Sequence, residues 1–193
     1  MILSSQGFKI NEFKIPAFTL NKGEMIRFWV EIIPKSEADS DGYWGVRKMQ
    51  EVIKSIDHRE NKITICPPRV RRNFLEHIKQ TTIGEYFKNR CNLSRNETLD
   101  ILKQFGVEPE FVIRNLGTAH QKVLSIAYMF QKNQVISFDY YGLSPSTEEQ
   151  LTAFVKQELG KGKSAIGFDN LCYKTEKLDS SKIINLDIRR ERK

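Results

Sequence analysis

The segment from Gln134 to Asp169 restricts the fold more than any other part of the chain. Gln134-Val135-Ile136-Ser137-Phe138 is a short, almost wholly apolar run ending at Asp139, which reads as a strand buried on both faces. Pro145-Ser146-Thr147-Glu148-Glu149 then opens a helix with a capping box, and Leu151, Phe154, Val155 and Leu159 form its buried stripe. Gly160 ends that helix, and Ser164-Ala165-Ile166-Gly167-Phe168 is a second buried strand. Strand, helix and strand in this order require a parallel pair with a crossover, and therefore an α/β sheet.

The remaining residues fit around such a sheet. Residues 7–15 and 25–33 are rich in Phe, Ile, Val and Trp and read as strands, joined through the turn Leu20-Asn21-Lys22-Gly23-Glu24. Trp44, Val46, Met49, Val52 and Ile53 recur at helical spacing. Ile63-Thr64-Ile65-Cys66 is a short strand stopped by Pro67-Pro68. Residues 82–131 are mainly helical. Ser94 with Glu97 makes a capping box, Gly106 ends that helix, and Thr118 caps the next. With 193 residues and no repeat or linker, the chain reads as one domain spanning 1–193.

Composition sets the class. Apolar residues make up 39% and charged residues 28% of the chain, as in an ordinary globular domain. No apolar run is long enough to span a bilayer, and the first residues lack the pattern of a secretory signal. Three widely separated cysteines, Cys66, Cys91 and Cys172, give neither metal-ligand spacing nor a disulfide framework, so a cytoplasmic protein is expected. The net charge of +7 favours an acidic partner, either nucleic acid or an anionic membrane face. Arg69, Arg71 and Arg72, with Phe74 beside them, form one basic cluster; Arg189, Arg190, Arg192 and Lys193 read as a solvated, frayed tail. His58, His77 and His120 are isolated from any nucleophile.

The order of landmarks in the second half resembles that of the ATP-binding-cassette (ABC) ATPases. Leu116-Gly117-Thr118-Ala119-His120-Gln121 stands where that family has its signature peptide, and leads into a helix. Val135-Ile136-Ser137-Phe138-Asp139 resembles the Walker B strand. Tyr140-Tyr141-Gly142-Leu143-Ser144-Pro145 resembles a shortened form of the loop that follows it. Residues 159–169 resemble the approach to the switch histidine, Leu20-Asn21-Lys22-Gly23-Glu24 the lead-in to the phosphate loop, and Thr82-Ile83-Gly84-Glu85-Tyr86 the start of the helical subdomain. The resemblance implies a P-loop-NTPase-like mixed sheet with a helical subdomain at roughly 70–130.

It also implies a damaged catalytic site. A phosphate loop needs glycines whose N–H groups wrap the phosphates, with a lysine and a Ser or Thr. Residues 34–42 offer a single glycine, Gly42, the carboxylates Glu37, Asp39 and Asp41, and Lys35 at the wrong end. Gly162-Lys163-Ser164 matches the end of a phosphate loop but follows a helix and precedes a strand, the reverse of the required order. Asp139 is retained and could hold Mg²⁺ through water, or simply cap a loop. Tyr140 replaces the glutamate that polarises water, and a phenol with pKa near 10 is a poor base at neutral pH. Phe168 replaces the switch histidine, Pro67-Pro68 the region of the sensing glutamine, and Ala119 and His120 the glycine and glutamine of the signature.

No catalytic residues are therefore expected. Leu116, Gly117, Thr118, Ala119 and His120 remain as a signature-like anion site at a helix start, and weak binding of ATP with Mg²⁺ stays open. The resemblance implies an ABC-transporter-like subunit without ATPase activity, working through an active ABC ATPase, a membrane permease, or a second copy of itself. Arg69, Arg71, Arg72 and Phe74 are its expected partner surface, at the inner face of the membrane. The alternatives are a basic nucleic-acid-binding module, which lacks a recognisable reading motif, and a regulatory weak nucleotide binder.

Overall fold

The computed structural model describes residues 1–31, 46–56, 63–174 and 181–190, which fall into two compact units. The first unit comprises residues 1–65, 135–141 and 158–193 and holds the sheets. Its N-terminal strands are β1 (Leu3–Ser5), β2 (Phe8–Ile10), β3 (Phe13–Ile15), β4 (Phe18–Leu20) and β5 (Met25–Val30). Helix α1 (Val46–Ile56) and strand β6 (Thr64–Ile65) follow. Strands β7 (Val135–Asp139), β8 (Ser164–Asn170) and β9 (Ile183–Arg190) complete it.

The main sheet runs β2-β3-β9-β5-β8-β7-β6. Strands β9, β5, β8, β7 and β6 are mutually parallel, and β3 and β2 add on antiparallel beyond β9. The expected parallel pair is present: β7 and β8 are neighbours, with Asp139 opposite Phe168. A separate antiparallel pair joins β1 to β4.

Strand β5 is buried along its whole length. Alternation sends Ile26, Phe28 and Val30 to one face and Met25, Arg27 and Trp29 to the other. The first set enters the main core with Ile166, Phe168 and Ile188. Against it lie Met49, Val52, Ile53 and Ile56 of α1, a stripe with the spacing of a helix face. Phe28 meets Phe168 at 5.5 Å and Phe18 edge-on at 5.4 Å between ring centroids.

The second unit comprises residues 66–134 and 142–157. It contains α2 (Phe74–Ile78), α3 (Ile83–Cys91), α4 (Arg95–Gln104), α5 (Thr118–Lys132) and most of α6 (Pro145–Gly160). The caps follow the sequence closely. Ser94 and Glu97 form the reciprocal box of α4, and Thr82 with Glu85 forms that of α3. Gly106, at φ +63°, ends α4 in a Schellman turn: Val107 N–H donates to Leu102 O, and Gly106 N–H to Lys103 O. Aromatic contacts tie the helices together, with Phe105–Phe154 at 5.4 Å and Tyr86–Tyr128 at 5.2 Å.

Several local expectations are corrected. Residues 7–15 are a hairpin, not one strand, because Asn11 adopts φ +50° and turns the chain between β2 and β3. Gly117 occupies the cap position of α5 and Thr118 is its first residue. At α6, Ser144 Oγ accepts the Thr147 N–H at 3.3 Å and Pro145 takes the first helical position, so the cap lies one residue before the expected helix start. Arg189 and Arg190 belong to β9 and not to a frayed tail. Residues 34–42 and Trp44 lie outside the described residues.

Candidate functional site

Asp139, Tyr140 and Phe168 come together near the ends of β7 and β8. Asp139 closes β7 and is 6% exposed. Its Oδ1 accepts the Tyr141 N–H at 3.1 Å, so the carboxylate shapes the turn that leaves the strand. Tyr140 N–H donates to Phe168 O at 2.9 Å and extends the ladder by one residue. Phe168 is fully buried in the core against Phe28. A benzyl group there supplies packing and has no donor for a phosphate oxygen.

The Tyr140 side chain, 2% exposed, faces the opposite side of the sheet and meets a charged group. The Arg27 guanidinium lies 4.0 Å from the Tyr140 ring centroid and 4.3 Å from that of Trp29. Arg27 also forms an ion pair with Asp169, and both are almost completely buried. Asp169 Oδ1 accepts the Asn170 N–H at 2.7 Å, and Trp29 Nε1–H donates to Asn185 Oδ1 at 2.9 Å. Charge, π-faces and hydrogen bonds thus form one buried arrangement across β9, β5, β8 and β7. Gly167 makes room for it: a Cβ there would run into the Met25 methyl and come within 3.3 Å of the Tyr140 ring.

None of Arg27, Trp29, Asp169 and Asn185 was expected at a site. Arg27 did leave one signal, a single cation between Ile26 and Phe28 in an otherwise apolar strand. Asp169 lies 142 residues away, and no local pattern links the two.

The phosphate-loop decoy is a helix-to-strand turn, as its context required. Gly162, at φ +84°, follows α6, and its N–H donates to Leu159 O. Ser164 Oγ accepts the Gly23 N–H and donates to Asn21 O, both at 3.1 Å, which fixes the turn before β5.

The other predicted residues belong to the second unit. Leu116 follows a short 3-10 turn, Gly117 and Thr118 are exposed at the start of α5, Ala119 is half-buried and His120 exposed. Gln121 Nε2 donates back to Leu116 O at 2.9 Å. Arg69 and Arg71 are exposed on either side of buried Val70, Arg72 is partly exposed, and Phe74 is 76% exposed. Among the described residues there is no group of three or more potential metal ligands. No helix among them is long and apolar enough to cross a membrane.

No protein-family profile and no curated protein matches the sequence. Solved structures do match. One is an ABC transporter ATP-binding protein from Pyrococcus furiosus, 12% identical, with a TM-score of 0.63 over 96% of this chain and 94% of that one. A second is the ATP-binding subunit of an ABC transporter, 14% identical, TM-score 0.53, covering 88% and 78%. A third is a dimeric ATP-binding cassette bound to ADP and Pi, 16% identical, TM-score 0.50, covering 100% and 96%. At these identities the likeness concerns architecture, and on that ground the chain has the fold of an ABC-transporter ATP-binding cassette.

Proposed function

We propose that this chain is an ABC-transporter-like subunit that does not hydrolyse ATP and acts through protein partners, at the inner face of a membrane. One observation carries the reading: Tyr140, in the place of the water-polarising carboxylate, is buried with its ring over Arg27. A neutral phenol whose ring lies against the Arg27 guanidinium is a poor base for an attacking water. Phe168, in the place of the switch histidine, is equally committed to packing. Asp139 spends one carboxylate oxygen on its own turn.

Purified protein is expected to release phosphate from MgATP no faster than a blank, with Asp139→Ala indistinguishable from the parent. Turnover that Asp139→Ala abolishes would overturn the reading. Affinity purification of the tagged chain from its native cell is expected to bring down a membrane permease or an intact ABC ATPase. Nucleic acid recovered without either would favour the basic binding module instead.

A further inference from the structure

Helix α2 turns an apolar arc to solvent. Phe74, Leu75 and Ile78 are 76%, 59% and 62% exposed. At 3.6 residues per turn the three fall within about 100° of arc. Glu76 points elsewhere: its carboxylate receives Arg90 Nε and Nη2 at 2.8 and 2.7 Å, and accepts the Asn73 N–H at 2.7 Å.

A five-residue helix does not persist alone in water, and this one is held from several sides. The Asn73–Glu76 capping box closes its start. Val70 is buried ahead of it, and Tyr86 O–H donates to Arg71 O at 3.0 Å. The protein therefore fixes an apolar surface outward, an arrangement that signals a binding partner.

Charge identifies the partner. Arg69, Arg71 and Arg72 precede the helix and Lys79 follows it. Glu76 is the sole acid from 69 to 79, and Arg90 neutralises it. We propose that this face docks on an anionic lipid surface. Phe74, Leu75 and Ile78 enter the boundary between headgroups and acyl chains, while the arginines and Lys79 meet lipid phosphates and carboxylates. A protein partner would need an apolar groove rimmed with acids; an anionic bilayer presents both features without a shaped pocket. The proposal rests on the reading above only for the chain's place in the cell.

The test is sedimentation of the whole purified chain with vesicles. It is expected to sediment with phosphatidylcholine vesicles containing about 30 mol% phosphatidylserine, and to be released by salt. Pure phosphatidylcholine should retain it weakly. Phe74→Ser/Ile78→Ser, and separately Arg69→Gln/Arg71→Gln/Arg72→Gln, should weaken partitioning about tenfold or more. Lys156→Gln, an exposed cation of α6, should leave it unchanged, with circular dichroism confirming that each variant is folded. A Phe74→Trp reporter should shift its emission to the blue on anionic vesicles. The proposal is overturned if the parent stays in the supernatant, or if the double serine variant partitions like the parent. Capture of a permease that the serine variant loses, without vesicle binding, would assign the face to protein and leave the proposed function standing. Vesicle binding with no partner recovered would support the lipid surface and remove the partner-based function.

Discussion

Arg27 is the residue on which the buried face of the sheet depends. Its guanidinium has left water, and the compensation is Asp169 on the next strand together with two ring faces. Removing one partner strands the other charge in the interior. Arg27→Met is therefore expected to cost about 3–5 kcal/mol, read as a lowered urea midpoint. Arg27→Met/Asp169→Leu should recover much of that loss, because neither charge then needs a partner. If the double variant were as unstable as the single one, the hydrogen bond to Asn170 and the ring contacts would outweigh the pairing of the two charges. Sequence alone made the oddity of Arg27 visible but not its solution. The strands that carry Asp139 and Phe168 were legible because their apolar runs are unmistakable, and Tyr140 follows the first of them directly.

Elements with a complete local signal were readable to within a residue or two, and those relying on distant pairing were not. Helix α4 carries its own start and stop: Ser94 and Glu97 at one end, Gly106 at the other. Ser94→Ala should lower stability by about 1 kcal/mol, measured by thermal unfolding, because the Glu97 N–H loses its acceptor. Strands β1 and β4 have three residues each, too few for alternation to declare itself, and are defined by pairing with each other. Strand β9 was hidden by its charged end, although Ile183 and Ile188 are buried. Gly167 illustrates a constraint visible only once strands are adjacent. Gly167→Ala should lower the thermal midpoint, because Met25 and Tyr140 must both move, and Gly167→Val should lower it further.

At the scale of the whole molecule, the fold class was legible from the strand–helix–strand unit, whereas the pairing of β9 between β3 and β5 is a long-range choice that no single segment dictates. The second unit holds two groups, Cys91 and Tyr86, whose titration bears on alkaline stability. Burial pushes the Cys91 thiol up from 9.0 to about 11, against the opposing pull of Lys132 and Arg90. Burial also raises the Tyr86 phenol, with Arg90 opposing. Both groups are neutral when protonated, so each binds its proton more tightly in the folded state. The stabilisation from Cys91 is complete below about pH 9 and is lost as pH rises through about 11; that from Tyr86 is lost at still higher pH. The thermal midpoint should therefore fall between pH 9 and 11, and Cys91→Ala should flatten that fall. In native protein near neutral pH, Cys91 should react with iodoacetamide far more slowly than exposed Cys172. Equal labelling rates for the two thiols, or a midpoint independent of pH over that range, would show that Cys91 titrates as it does in water.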